Sequence, residues 1–472
     1  MIADRMTGPP LELDTPDLLP GATRELAGFI SSLSYDQIPA EVVSYVKELI
    51  LDNLGVVIFG NQTPWAKMVG EMAMEAGAQP CSTILGRKLK TSAALAALTN
   101  ATAGHGFEFD EIHRDSGHHP GSIIVPVILA LAESEGGRSG RDFITSTVAA
   151  YEAGCRVGMS MGPGLFYRGH HPQGSIGVLT AAAAASKILG LDAEKTQHAL
   201  GIAGTSAAGL MAAQEGAMVK RMHAGTAAQN GVYGAILARK GFTGIHNVLE
   251  ASFGGFLQTF SSTPNPEPLI ADLGTRWETL NVGYKPYATV ASIHTALDGL
   301  LAIMRDNHLH ADDIESIEIG CTTVTLHHCA WKYKPQGVTA AQMNLFYSLA
   351  VIAIDGDAGI NEFSEGRLAD PRVLDLVARM QAHIDPEIEA MGRKFRHAAS
   401  VTLTTKDERS FKRTELHRRG TIENPPHPGD VENKFRTLVG TVMGQESVQN
   451  LLLLVRDLEN RDSLDELFSI IA

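Results

Sequence analysis

The feature that most constrains this fold is a region rich in alanine and punctuated by glycine that covers residues 61–260. Residues 91–98, 179–186 and 209–213 are typical of it. Small side chains at this density let helix backbones pack closely in a bundle. Leucine, isoleucine and histidine recur within it at helical spacing, which argues against a low-complexity segment, and the lack of a fixed repeat period disfavours a solenoid. The pattern predicts a bundle of closely packed helices.

Helix signals also precede this region. A helix is predicted over residues 24–32, and Asp36 followed by Pro39 opens a long helix over residues 40–59. Gly60-Asn61 provides a suitable left-handed end for that helix. Residues 1–22 are rich in proline and aspartate and have little periodicity, so they predict a flexible leader.

The pattern changes near residue 280. Residues 314–319 alternate as a strand, and residues 399–404 and 410–415 flank a turn as a hairpin. Helices are predicted between these strands over residues 341–354 and 370–382, and afterwards over residues 432–439 and 449–467. We therefore expect a mainly α protein in which a large all-helical domain, formed by residues 23–279 plus 416–472, carries an inserted α+β lid domain of residues 280–415.

Composition narrows the possible partners. The 472 residues include 39 Lys and Arg against 53 Asp and Glu, a formal net charge of −14. That surface repels nucleic acid and anionic membranes, whereas basic residues gathered in a cleft still allow an anionic substrate. Four dispersed cysteines fit neither a zinc nor an iron–sulfur spacing, and no apolar run is long enough to span a membrane. Because the chain starts without a signal peptide, we expect a soluble cytoplasmic protein.

The first candidate motif is a polar loop over residues 106–122 that contains Asp110 and His119 and precedes an apolar helix. Carboxylates and histidines concentrated in a loop on a rigid scaffold are typical of an active site. A solvated loop, or acidic residues that cap neighbouring helices, is the structural alternative. The spacing matches neither HExxH nor a facial triad, so a metal site is disfavoured.

Two further motifs place histidine and basic residues among small residues. His171 lies beside glycine and proline at a predicted helix entrance, where it either faces a cleft or merely caps the helix. Lys220 and Arg221 lie within the apolar segment 209–225. Burying a cation is costly unless it is paired or binds an anion, so Lys220 indicates either a structural ion pair or a carboxylate-binding group.

The later motifs are weaker when each is taken alone. Lys285, Tyr287 and His294 lie at the predicted domain junction, where clefts commonly form, although an exposed linker lysine is the alternative. Residues 327–333 either cover a ligand or belong to the core, and Tyr347 fits a core position on its helix. Residues 158–162 match the G-x-S-x-G pattern, but they follow a helix instead of a strand, which indicates a chance match.

In this order, these segments resemble the MmgE/PrpD family over nearly the whole chain, from residues 51–55 to the final helices. The polar loop and residues 216–225 are the most specific of them. The resemblance implies a helical domain with an α+β lid, which agrees with the prediction from the residue patterns. It also implies cofactor-free chemistry on a small di- or tricarboxylate, and a homodimer.

The resemblance implies a role for each matched residue. Asp110 is similar to the acidic residue of the family's first loop, and His119 is similar to its active-site histidine. His171 resembles the histidine of the second loop, and Lys220 and Lys285 resemble the two active-site lysines. Candidate substrate-binding residues complete the set: Arg221, Tyr287, His294 and Tyr347.

Members of the family move protons at a carbon beside a carboxylate. Histidine suits that task because its unperturbed pKa is about 6.5, and lysines can stabilise the enediolate-like charge that develops. We expect a lyase that acts on 2-methylcitrate-like or cis-aconitate-like acids without a metal or another cofactor. An epimerase of an iminodicarboxylate such as iminodisuccinate is the alternative enzyme, and a catalytically dead binding protein is the alternative outside enzymes.

Overall fold

The computed structural model describes residues 17–472, so residues 1–16 of the predicted leader lie outside the described residues. The helices expected over residues 24–32 and 40–59 are confirmed, with slightly wider bounds. The left-handed end predicted at Gly60-Asn61 is wrong, because Asn61 has a right-handed backbone with φ −66°. The helices of the first part of the chain are α1 (Ala22–Ser32), α2 (Ala40–Gly60), α3 (Pro64–Glu75), α4 (Ala93–Gly104), α5 (Gly121–Glu135), α6 (Gly140–Met161), α7 (Gly164–Tyr167), α8 (Pro172–Ser175), α9 (Gly177–Ile188), α10 (Ala193–Gly204), α11 (Val219–Arg239) and α12 (Phe256–Phe260).

Helix α11 shows why this region needs small residues. It packs against α4, α9 and α10. A Cβ atom added at Gly225 would lie 2.2 Å from Oγ1 of Thr102 on α4, and one at Gly231 would lie 2.2 Å from Cβ of Ala181 on α9. The helix backbones approach too closely for larger side chains at these positions, as expected for close helix packing. The bundle expected from the alanine and glycine pattern is confirmed.

The later part of the chain mixes helices and strands. Its helices are α13 (His294–Asp306), α14 (Thr323–Cys329), α15 (Val338–Gln342), α16 (Leu345–Asp355), α17 (Pro371–Val377), α18 (Pro386–Ala390), α19 (Asp430–Gly440), α20 (Gln445–Arg456) and α21 (Asp465–Ile471). The strands of the whole described chain are β1 (Ser82–Ile84), β2 (Leu89–Thr91), β3 (Ile112–His113), β4 (Val282–Gly283), β5 (Ile314–Cys321), β6 (Met380–Ile384), β7 (Ala399–Thr405) and β8 (Ser410–Glu415).

Four of these strands form one sheet in the order β6-β5-β7-β8. Strand β5 pairs antiparallel with β7, and β7 pairs antiparallel with β8, which confirms the predicted strand and the predicted hairpin. Strand β6 is parallel to β5. Strands β3 and β4 form a separate antiparallel pair that joins the polar loop to the segment before Lys285.

Three helix predictions are corrected by the structure. The helix predicted over residues 370–382 ends at Val377, and residues 380–384 form β6, because the open edge of β5 offers backbone partners that outweigh the local helical pattern. The helix predicted over residues 341–354 is interrupted at Asn344, whose side chain caps α16 by accepting a hydrogen bond from the Tyr347 amide. The helix predicted over residues 449–467 is likewise divided into α20 and α21.

The protein is mainly α, and its buried apolar residues form two clusters. One combines residues 22–282 with residues 435–471, and the other is formed largely by residues 287–403. Helix α19 packs against α2 and so returns the end of the chain to the first helices. The domain bounds at residues 280 and 415 stay a prediction. Within residues 17–472, every helix is too short or too polar to cross a membrane.

Candidate active site

A cavity of about 410 Å³ opens between the helical bundle and the part of the chain that carries the four-stranded sheet. Its two walls come from segments far apart in the sequence. The bundle contributes one set of polar side chains, and the later part of the chain contributes the other. The residues of these two sets that matter below are Glu108, Arg114, Asp115, His119, His171 and Lys220 on the first wall, and His328, Glu389, Arg393, Arg396 and His397 on the second.

The polar loop reaches the cavity because α4 ends at Gly104 and α5 begins at Gly121. Between these helices, β3 pairs with β4, so the chain just before Lys285 lies against the loop. The Lys285 ammonium donates a hydrogen bond to the Glu108 carbonyl at 3.0 Å and lies 3.9 Å from Oδ1 of Asp110. A two-residue strand pair therefore places Lys285 beside the acidic residues of the loop.

Asp110 is fully buried and contacts two histidines. Its Oδ2 lies 2.7 Å from Nδ1 of His105 and 3.6 Å from Nδ1 of His119. Burial alone raises the pKa of Asp110, but the two histidines and Lys285 outweigh burial, and the pKa lies below its usual range. Asp110 is therefore a carboxylate at neutral pH, and it can orient an imidazole or accept a proton.

Several imidazoles gather around this carboxylate. The ring centroid of His105 lies 5.2 Å from that of His119 and 5.5 Å from that of His171. Nδ1 of His171 lies 2.9 Å from Nδ1 of His223, so one of these two nitrogens must carry the proton that they share. Burial is the main cause that lowers the pKa of His119 and of His171 well below the usual value. Both rings are neutral near pH 7 in the free protein.

The neighbouring His118 has a different environment from His119. It contacts the Gln173 side chain and the Thr180 hydroxyl, and its burial lowers its pKa to about 3. The Gln173 amide also accepts from the His119 backbone N–H at 3.1 Å and donates to its carbonyl at 2.8 Å. Gln173 thus fixes the backbone that presents His119 to the cavity, whereas His118 ties the polar loop to α8 and α9.

Glu108 is the centre of the charged cluster. It accepts short hydrogen bonds from Lys220 and Arg221, and its Oε2 lies 3.5 Å from the Lys285 ammonium. Burial alone raises the pKa of Glu108, but these three cations hold it well below its usual range. Its backbone has a left-handed φ of 55°, which costs a residue with a side chain about 1–2 kcal/mol. Such strain persists where surrounding contacts hold the backbone in that conformation, and strained residues are frequent at functional sites.

Lys220 lies on the cavity wall, whereas Arg221 does not. Arg221 is fully buried and donates to the Thr339 hydroxyl at 3.2 Å and to the Gln342 side-chain oxygen at 3.1 Å. Burial lowers the pKa of the Lys220 ammonium, and Glu108 opposes that effect. Arg221 therefore joins α11 to α15, and Lys220 is the cation that can meet an anion in the cavity.

Comparison with known proteins places two family domains on the chain. The MmgE/PrpD N-terminal domain matches residues 24–269, and the MmgE/PrpD C-terminal domain matches residues 287–460. The chain belongs to the MmgE/PrpD family. The C-terminal family domain extends beyond residue 415, so it includes α19 and α20 along with the four-stranded sheet.

Curated relatives match the MmgE/PrpD chain over almost all of its length. A cis-aconitate decarboxylase of Aspergillus terreus is 31% identical over 96% of this chain and 96% of its own length. A cis-aconitate decarboxylase-like protein of Aspergillus oryzae is 30% identical over 95% of this chain and 97% of its own length. The cis-aconitate decarboxylase of Homo sapiens is 26% identical over 96% of this chain and 95% of its own length.

The structure brings together five of the residues that the MmgE/PrpD resemblance implied. His119, His171 and Lys220 lie on the cavity wall, while Asp110 and Lys285 lie buried next to wall residues. The β3–β4 pair brings Asp110 and Lys285 together, although they lie far apart in the sequence. Their roles in catalysis stay a prediction.

The other candidates lie away from the cavity wall. The Tyr287 hydroxyl donates to Asp298 at 2.8 Å and faces a separate open cleft. His294 is buried with its ring centroid 5.2 Å from that of Tyr287. The Tyr347 hydroxyl donates to the Glu362 carbonyl at 2.6 Å. None of these three side chains lines the cavity that holds His119 and Lys220, and their candidate role in substrate binding stays a prediction.

Several polar residues at or beside the site were not candidates in the sequence analysis, and they include His105, Glu108, Glu389, Arg393, Arg396 and His397. His105 lies one residue before the polar loop, and Glu108 lies within it two residues before Asp110, so their proximity was the only available signal. His328 was part of a segment left open between a ligand cover and core. Arg396 follows a helix prediction that the structure corrects, and nothing local in its sequence indicated a cavity.

Among residues 17–472, one trio has the geometry to hold a metal ion. His105, Asp110 and His119 place their ligand atoms within 4.8 Å of one another. The Asp110 carboxylate already contacts His105, and the Lys285 ammonium lies 3.9 Å from its other oxygen. A cation next to the carboxylate competes with a metal for it, so metal independence stays the prediction for this site.

Proposed function

We propose that this protein is a cofactor-independent lyase that removes CO2 from cis-aconitate. The observation that carries the proposal is the cavity wall, where His119 beside Asp110 and the Lys220 cation face one space. The near full-length similarity to several cis-aconitate decarboxylases supports decarboxylation over the other reactions of the family.

The chemistry of the substrate defines what the cavity must supply. The bond between the methylene carbon and its carboxylate breaks, and its electron pair forms a new C=C bond to the central carbon. The original double bond shifts its electrons to the terminal CH carbon, which becomes the enediolate of the attached carboxylate. One proton then adds to that carbon, so the tricarboxylate trianion and H⁺ give CO2 and a methylenesuccinate dianion.

Two groups on the wall match these needs. The Lys220 ammonium can pair with the carboxylate that becomes the enediolate, and a preorganised cation in a buried site stabilises such developing charge strongly. His119 can deliver the proton to carbon. Burial keeps the free imidazole neutral, but a bound trianion favours the imidazolium and raises its pKa, so substrate binding itself charges the proton donor.

The proposal is tested by proton NMR of the purified protein in D2O with cis-aconitate, 2-methylcitrate and iminodisuccinate supplied separately. We expect methylenesuccinate that carries one deuterium at carbon, formed only from cis-aconitate. Water loss from 2-methylcitrate would make the protein a dehydratase, and exchange with inversion of iminodisuccinate would make it an epimerase. If none of the three acids reacts, the protein is not an enzyme for these substrates.

Replacement of Lys220 tests the site within the same assay. Lys220→Met should lower kcat for cis-aconitate by about 10³-fold, a typical loss for one group that stabilises charge in the transition state. Lys195→Met is the matched control, because Lys195 is largely exposed and contacts only Asp192. Equal turnover by the two variants would remove Lys220 from the mechanism.

A further inference from the structure

The second wall of the cavity carries two arginines that have no function in the reaction described above. Arg393 and Arg396 lie between α18 and β7, in the short turn around residues 393–395. Both line the same cavity as His119 and Lys220. Because they belong to the later part of the chain, they face the space from the wall opposite the polar loop.

Arg396 is a cation without an anionic partner. Its guanidinium donates to the Arg114 carbonyl by a short hydrogen bond and to the Arg393 carbonyl at 3.4 Å. Across residues 17–472, no carboxylate oxygen lies within the 4.0 Å that defines an ion pair with Arg396 or Arg393. Burial lowers the pKa of Arg396 to about 10, although Asp115 opposes that shift, so the guanidinium stays charged at neutral pH.

The nearby carboxylates are engaged elsewhere. Asp115 contacts Arg114, with 3.3 Å between the nitrogen and the oxygen. Glu389 accepts a hydrogen bond from the Thr323 backbone N–H at 2.8 Å, at the start of α14. A half-buried cation that donates hydrogen bonds only to carbonyl oxygens is incompletely compensated, and a ligand carboxylate would supply the missing charge.

We propose that Arg396, assisted by Arg393, binds a substrate carboxylate that takes no part in bond breaking and thereby selects tricarboxylates over dicarboxylates. The inference rests on the proposed function, since it assigns a subsite to the same substrate. Lys220 binds one carboxylate on the bundle wall, and Arg396 binds another on the facing wall. The planar guanidinium fork suits this task because it can bind both carboxylate oxygens at once.

The test measures binding without turnover. Isothermal titration compares propane-1,2,3-tricarboxylate with glutarate, which has the same carbon chain and lacks the central carboxylate. Arg396→Gln should weaken the tricarboxylate by about 10- to 100-fold, as expected for loss of one charge-assisted contact, and should change glutarate affinity by less than about 3-fold. Arg396→Lys keeps the charge and should recover part of the tricarboxylate affinity.

Arg409→Gln is the matched control, because Arg409 is exposed and pairs with Asp407 outside the cavity. Equal weakening of both ligands by Arg396→Gln, or no weakening of either, would overturn the subsite. Wild-type protein that binds the two ligands equally would overturn it as well. Should Arg396→Gln fail to fold, the Lys variant alone decides, since it removes the fork and keeps the charge.

Failure of the proposed function has a separate signature. A wild-type protein that binds the tricarboxylate tightly but releases no CO2 from cis-aconitate keeps the subsite and loses the decarboxylase assignment. A protein that decarboxylates cis-aconitate with unchanged KM in Arg396→Gln keeps the activity and loses the subsite.

Discussion

The two walls of the cavity differ in whether their cations are paired with a carboxylate of the protein. On the bundle wall, Lys220, Arg221 and Lys285 converge on the Glu108 side chain. On the facing wall, the guanidinium groups of Arg393 and Arg396 donate hydrogen bonds only to backbone carbonyls within residues 17–472. The first set is compensated within the protein and keeps its geometry without a ligand. The second set is completed by a ligand.

This difference indicates separate tasks for the two walls, catalysis on the bundle wall and substrate selection on the facing wall. A catalytic cation must already be in place when charge develops, and a network of buried ion pairs supplies that rigidity. A selecting cation works best when its full stabilisation appears only with the correct ligand, because a missing carboxylate then leaves it unpaired. We therefore expect bundle-wall changes to act on kcat and on stability, and facing-wall changes to act on affinity.

The largest expected effect comes from Glu108→Gln, which leaves the cations of the bundle wall without their carboxylate. Removing one partner of a buried ion pair costs about 3–5 kcal/mol, so the free energy of unfolding should fall by that amount in urea titrations. Arg396→Gln should cost less than about 1 kcal/mol, because it leaves no charge uncompensated. Equal losses of unfolding free energy in the two variants would show that the walls do not differ in charge compensation. Glu446→Gln is the control, because Glu446 is exposed on the surface.

The second effect concerns proton delivery. His119→Asn should lower kcat by about 10²- to 10⁴-fold, the usual contribution of a general acid. Because the pKa of free His119 lies below its usual value, wild-type kcat/KM should fall as pH rises through the neutral range, where ever less imidazolium is present. The variant should lose this slope. A similar loss in His308→Asn, an exposed histidine, would attribute the effect to the fold.

A smaller effect is expected behind the bundle wall at Glu111. Burial raises the pKa of Glu111 to about 7, with Asp110 and Asp52 adding to it. The folded protein therefore binds a proton that the unfolded chain releases above about pH 4.5, so Glu111 destabilises the fold progressively from about pH 4.5 to 7. Glu111→Gln should be more stable than wild type by about 1–3 kcal/mol at pH 8, and equally stable at pH 4.

Unfolding curves of wild type and Glu111→Gln across that range check the sign. The Glu111 carboxylate accepts hydrogen bonds from the Tyr151 hydroxyl and the Gly121 amide, and an amide oxygen can replace these. A variant that is less stable than wild type at pH 8 would contradict the expected direction.

The smallest expected effect is that of a chelator. Dialysis against EDTA should leave decarboxylation unchanged, because we expect the Asp110 carboxylate to orient the histidines and to balance the charge of Lys285, and not to bind a metal. Activity that is lost on dialysis and returns with a divalent cation would mean that His105, Asp110 and His119 hold a metal. The charge balance of the bundle wall would then need revision.

The homodimeric state and the cytoplasmic location stay predictions. Size-exclusion chromatography with light scattering tests the first directly. Exposed apolar side chains on α11, such as Tyr233 and Leu237, are consistent with a covered face.

Local signals explain most of the secondary structure that was predicted. The helix α2 follows from its apolar spacing, and the β7–β8 hairpin follows from alternation around a polar turn. Strand β6 was missed because residues 370–382 continue a helical pattern, and only the free edge of β5 makes extension favourable there. The motifs of the site were found because histidines and carboxylates crowd the polar loop, because basic residues lie in an apolar segment, and because their order resembles the MmgE/PrpD family.

The close-packed bundle, the polar loop with Asp110 and His119, and the basic residues in apolar surroundings can all be read from the amino-acid sequence, because composition and spacing are local properties. Which cations meet which carboxylates, in contrast, depends on how the chain folds. The pairing of β3 with β4 brings Lys285 to Glu108, and the turn before β7 brings Arg396 to the opposite wall. Charge compensation depends on distances of a few ångströms between segments far apart in the chain, and no local pattern encodes those distances.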